Sequence, residues 1–230
     1  ALRALPNSGF MNGRAGSSSD FAGAGFAGAD LAAGGRSKVD PEAANSRLPR
    51  DGFQEAFARV MWDMPKPAVA AINGATAGLG FGMALSCDIR IASTLGKFAS
   101  AFSRISLVPE ACMTFYLPRI VGLGRAHDLL LTSRVFTSDE AHSLGFVNQI
   151  FEPAELVART VAYAHQLIVS VSPNSLRQTR WQIYKDLHRD VASAVIESER
   201  LIEDMAKEED FKEGIAALVE KRPPDWPSVK

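Results

Sequence analysis

Pro67–Cys87 reads PAVAAINGATAGLGFGMALSC: twenty-one residues without a charge, with four glycines in the nine positions from Gly74 to Gly82. The run opens as an apolar strand, Ala68 to Ile72. Gly74, Gly78, Gly80 and Gly82 then leave backbone amides unscreened, so a ligand can approach them closely. Met83 to Ser86 is compatible with a helix, whose N-terminus would add partial positive charge. Strand, bare loop and helix start suit a site that stabilises a developing anion. Glycines serving tight packing alone are the competing reading. A membrane span is rejected, because Asn73, Thr76 and Ser86 join the glycines and large aliphatic residues are sparse.

Outside this run, the 230 residues are 47% hydrophobic and 22% charged, which suits a sizeable globular core. A net charge of −1 gives no footprint for nucleic acid or an anionic membrane surface. The two cysteines, Cys87 and Cys112, lack metal-ligand spacing and are too few for a disulfide framework. With no secretory signal pattern, a cytoplasmic setting is expected. There is no GxxxxGK[ST], HExxH or GxSxG. Met83 occupies the third-glycine position of a dinucleotide fingerprint. His127, His142, His165 and His188 fall on predicted helices without local partners and read as surface or satisfied histidines.

The first thirty-six residues hold eight of the eighteen glycines and spell neither strand nor helix. A helical face is predicted over Asp51–Trp62 and strands over Ile89–Ala92, Lys97–Ala101 and Val147–Phe151. Helices are predicted over Ala111–Val121 and Gly124–Thr132, with a capping box at Thr137–Glu140 opening a short helix that stops at Gly145. Four more follow over Ala154–Val169, Asn174–Leu187, Asp190–Glu208 and Asp210–Lys221. Strands alternate with helices early and helices accumulate late, so the pattern is an α/β core with a helical C-terminal module.

Two segments carry a family resemblance: Phe26–Leu31 (FAGADL), and Ile72–Gly74 with the glycine run continuing into Ser86-Cys87-Asp88-Ile89. In order and spacing they resemble the crotonase, or enoyl-CoA hydratase/isomerase, superfamily. The later stretches LPRIVGLGRAHDLLLTSRVFTSDEAHSLGFVNQI and DFKEGIAALVEKR resemble it too. The resemblance implies an α/β, crotonase-like fold of repeated ββα units, with a core over 1–153 and a helical trimerisation module over 154–230. It implies acyl-CoA as substrate, no tightly bound cofactor beyond the coenzyme A of that substrate, and a homotrimer or dimer of trimers. Neither nucleic acid nor membrane is expected as a partner.

By the same resemblance, the backbone amides of Ala27 and Leu79 form an oxyanion hole. Preorganised donors of this kind contribute on the order of 3–4 kcal/mol each. Ala27, Gly28, Ala29, Asp30 and Leu31 line the coenzyme A site, and Lys221, with Arg222, is a candidate for its phosphates. The twenty-five residues before Phe26 do not spell the strand hairpin, helix and strand usual there, which leaves the adenine site and the pocket floor unassigned.

Hydratases of the family activate water with two glutamates, which align with Gly82 and Phe102, neither able to titrate. Glu110, after Pro109, matches the acid of the 3,2-enoyl-CoA isomerases. It would take the α-proton of a 3-enoyl thioester and return it at the γ-carbon, with Phe102 keeping the carboxylate dry and basic. The competing reading has Glu110 capping a helix that starts at Ala111. The function expected is isomerisation of 3-enoyl-CoA to 2-enoyl-CoA. The alternatives are a hydratase with a non-standard acid, a silent acyl-CoA-binding relative, and an interaction scaffold.

Overall fold

The computed structural model describes residues 57–227, so FAGADL and its five coenzyme A candidates lie outside the described residues. Helix α1 (Phe57–Asp63) precedes the prolines, and β1 (Val69–Ile72) forms where the apolar run predicts it. The glycine segment is not a bare loop. Ala75–Ala77 is a strand, β2, and α2 starts at Leu79 and ends at Leu85 rather than starting at Met83. Two helix-disfavouring glycines are tolerated in α2 because Phe81 between them is fully buried, and tertiary packing outweighs propensity.

Strands β3 (Ile89–Ser93) and β4 (Lys97–Ala99) follow, then a 3₁₀ turn over Phe102–Ile105. Next come α3 (Met113–Val121), α4 (Leu123–Thr132), β5 (Phe136–Thr137), α5 (Ser138–Ser143) and β6 (Gln149–Phe151). One sheet runs β1-β3-β6 with both pairings parallel. The other runs β2-β4-β5, parallel between β2 and β4 and antiparallel between β4 and β5. Thr137 caps α5, accepting from the Glu140 amide at 3.3 Å. The Glu140 carboxylate does not complete the box, because Arg134 takes both its oxygens, at 2.5 and 3.0 Å.

Four phenylalanines knit these elements together: Phe81 of α2, Phe98 of β4, Phe136 of β5 and Phe146 after α5. All are fully buried, and every pair is within 6.5 Å between ring centroids. Phe81 thereby ties α2 to the second sheet. Because aromatic pairs add about 0.5–1.5 kcal/mol beyond burial, Phe81→Leu should cost about 2 kcal/mol. Urea unfolding of the variant checks this; an unchanged midpoint would contradict it.

The charged residues of CDIRIA serve the fold. Asp88 Oδ2 accepts from the Ala68 amide at 2.7 Å, holding the start of β1. Arg90, buried, donates to the carbonyls of Phe146 (2.6 Å) and Cys87 (2.5 Å), beside the Phe146 ring.

The described chain divides into two bodies, one of residues 57–62 and 68–160, the other of 63–67 and 161–227. Helix α6 (Leu156–Ser170) crosses that boundary, and α7 (Pro173–Asp186), α8 (Val191–Met205) and α9 (Glu209–Glu220) complete the second body. There Ser172 caps α7 and donates to Asp210 at 2.6 Å, and the buried Arg180 donates to the Met64 carbonyl at 2.7 Å. Helix α8 has no buried residue and exposes Val191, Val195, Ile196 and Ile202. Among the described residues, no helix is long and apolar enough to cross a membrane.

Candidate functional site

Because β2 and β4 are parallel and Ala77 pairs with Ala99, the segments leaving both strands emerge side by side. Ligand sites in parallel sheets gather at such carboxyl ends. From β2 the chain passes through Gly78, whose amide donates to the Ala99 carbonyl at 3.2 Å. Gly78 has φ 55° and ψ −127°, which side-chain-bearing residues avoid, and this turn puts Leu79 at the first position of α2. Among the described residues, the amides of Leu79 and Gly80 donate to no carbonyl, as first-turn amides of a helix do.

From β4 the chain passes through Ser100 and Ala101 into the 3₁₀ turn. Ser100 and Ser133, both buried, share a hydroxyl–hydroxyl bond of 2.7 Å, and Ser103 donates to the Leu130 carbonyl at 2.6 Å. These bonds fasten the segment leading to Glu110 onto α4. Backbone strain concentrates along it. Of the six non-glycine residues with positive φ among the described residues, Ala101, Ser106, Ala111 and Cys112 lie between 101 and 112. Each such conformation costs on the order of 1–3 kcal/mol and persists only where packing enforces it, a pattern that clusters at functional sites.

Glu110 is not a helix cap. Helix α3 starts at Met113, its cap position is Cys112, and no acidic residue lies in its first turn. Ala111 and Cys112 are left-handed (φ 52° and 58°), so the helix cannot extend back to Glu110. Among the described residues, the Glu110 carboxylate has no hydrogen-bond or ion-pair partner, and the residue is exposed. The expected drying by Phe102 does not occur in the single chain. Phe102 is buried as the first residue of the 3₁₀ turn, so its ring belongs to the core. Burial pushes the Cys112 thiol up from its ordinary value, which disfavours the thiolate.

Gly82 meets the Glu110 loop directly. A Cβ built on Gly82 would stand 2.6 Å from that of Ala111 and 3.2 Å from Cε of Met113. The structure thus brings Leu79 and Glu110 to neighbouring segments, with α2 packed on α3. This contact was not readable from sequence, since neither alanine nor cysteine favours the left-handed region. Lys221 lies in the second body, at the left-handed C-cap of α9. Arg222 pairs with Glu213 at 2.6 and 2.9 Å and with Glu220 at 2.6 Å.

The description of the enoyl-CoA hydratase/isomerase family matches residues 20–229. The short-chain-enoyl-CoA hydratase of Clostridium acetobutylicum is 33% identical over 159 residues, covering 69% of this chain and 60% of that protein. The 1,2-epoxyphenylacetyl-CoA isomerase of Escherichia coli is 31% identical over 217 residues, covering 89% of this chain and 78% of the other. Among solved structures, the Bacillus anthracis enoyl-CoA hydratase superposes with a TM-score of 0.76 at 26% identity, covering 83% of this chain and 72% of that one. The chain spans about 60% of the length of the Clostridium hydratase.

Proposed function

Because the chain belongs to the enoyl-CoA hydratase/isomerase family and has the α/β crotonase fold, with ββα units and C-terminal helices, we propose that it isomerises 3-enoyl-CoA to 2-enoyl-CoA. The carrying observation is Glu110: an exposed carboxylate with no hydrogen-bond or ion-pair partner among the described residues, outside the first turn of α3, on a strained loop whose next residue, Ala111, meets Gly82 of α2. The Glu110 carboxylate removes the α-proton at C2 of the thioester. The electron pair passes through the C–C bond into the thioester carbonyl, giving a dienolate. Its oxygen is held by the amide of Leu79 and that of Ala27 in FAGADL. Glu110 then delivers the proton to C4, and the double bond forms between C2 and C3. One carboxylate completes the cycle, with no water consumed.

Gly82 and Phe102 support this direction over hydration. Position 82 has no room for an acid, and the residue at 102 is a buried ring. Coenzyme A enters as part of the substrate, with Gly28 to Leu31 the residues that the motif assigns to it. No tightly bound cofactor is needed. The apolar residues that α8 leaves exposed, Val191, Val195, Ile196 and Ile202, support assembly as a homotrimer or a dimer of trimers, since an exposed apolar face marks an interaction surface.

Offering the purified protein 3-enoyl-CoA and crotonyl-CoA in parallel tests the reading. Conversion of the first to 2-enoyl-CoA with no hydration of the second is expected. Hydration of crotonyl-CoA without turnover of the 3-enoyl thioester would defeat it.

A further inference from the structure

The space a side chain at position 82 would occupy is filled by the loop that carries Glu110. The Cβ position of Gly82 lies 2.6 Å from the Ala111 Cβ, 3.2 Å from Met113 Cε and 3.5 Å from the Ala111 carbonyl oxygen. Cε of Met113 ends a flexible side chain and can turn aside. The Ala111 Cβ is fixed to the backbone and cannot. Ala111 is also left-handed at φ 52°, so the loop reaches Gly82 in a conformation that only its packing maintains.

We infer that Gly82 is a positioning residue: lacking a side chain, it seats Ala111 on α2 and so sets where Glu110 stands relative to the Leu79 amide. This rests on the reading of Glu110 as the acid that moves the proton. Residues three apart share a helix face, so Ala111 sits one turn from Leu79 on that face. Glu110 is the next residue, its Cα 3.8 Å (about one peptide) away. The helix itself has no use for glycine at 82, because alanine is the better helix former. Among the described residues, the neighbouring loop is what stands closest to the bare position. A methyl group there must push Ala111 away by about 1 Å to restore ordinary carbon contact. A displacement of that size at a reacting group costs about 10²-fold in rate.

The same geometry supplies a compensation. Ala111→Gly removes the obstructing methyl and places at φ 52° the residue that adopts this region freely. The kcat and KM for 3-enoyl-CoA, with thermal unfolding, are to be measured for the wild type, Gly82→Ala, the double variant Gly82→Ala/Ala111→Gly, and Glu110→Gln. Gly82→Ala is expected to lose about 30- to 100-fold in kcat with KM within about threefold. The double variant is expected to recover kcat to within about fivefold of the wild type. A Gly82→Ala protein with normal kcat, or one whose loss appears in KM, overturns the inference. A double variant that stays slow or does not fold overturns it too, because among the described residues the Ala111 Cβ is the nearest rigid obstacle. If Gly82→Ala alone fails to fold, the double variant carries the test. Equal activity of Glu110→Gln and the wild type is a different result and strikes the reading of Glu110 itself.

Discussion

In the Glu110→Gln variant, isomerisation of 3-enoyl-CoA is expected to fall about 10³- to 10⁴-fold, the upper part of the range for general acid–base catalysis. The effect is large because one group performs both proton transfers, and glutamine can neither accept the α-proton nor deliver one to C4. A barrier increase of about 4–5.5 kcal/mol corresponds to that loss. Stability should hardly change. Glu110 is exposed, caps no helix and has no hydrogen-bond or ion-pair partner among the described residues, so its replacement should stay within about 0.5 kcal/mol. A folded variant with near-normal turnover would remove Glu110 from the chemistry.

The second large effect concerns a backbone atom. Leu79→Pro deletes the amide proposed to hold the dienolate oxygen, and the position tolerates it. Leu79 is the first residue of α2, where proline is favoured and its missing N–H leaves no intrahelical bond unmade. The preceding Gly78 lies outside the right-handed helical region, as a residue before proline prefers. A loss of about 10²- to 10³-fold in kcat is expected, the usual result of removing one oxyanion donor. Leu79→Ala is the control, since it shortens the half-buried side chain but keeps the amide. It should fall no more than about tenfold. Equal kcat values for the two variants, both folded by circular dichroism, would mean that the amide does not serve the reaction.

Much of the scaffold is legible in the sequence where local and tertiary preferences agree. Apolar runs predict β1 and β3 to within a residue, and the late helices follow from their 3.6-residue period and proline punctuation. The glycine segment is where the preferences part. Ala75–Ala77 becomes a strand because β4 pairs with it, not because three small residues favour extension. Helix α2 begins four residues before Met83 because Phe81 is anchored among Phe98, Phe136 and Phe146. The identity of Glu110 as a candidate acid is visible in its motif, but its freedom from a cap is not. That follows from left-handed Ala111 and Cys112, whose side chains carry no signal for such a conformation. The match of Gly82 to Ala111 is equally silent in the sequence, since it joins positions that only the fold brings together.

The central claim is that Glu110 removes a proton from the α-carbon of a bound 3-enoyl thioester. Its most direct measurement is hydrogen exchange at C2 and C4 of 3-enoyl-CoA in deuterium oxide, followed by NMR with wild-type protein and with Glu110→Gln. Deuterium entering the wild-type reaction at these carbons, and incorporation slowed at least about 10³-fold in the variant, is the predicted result. Incorporation at equal rates in both proteins would contradict it.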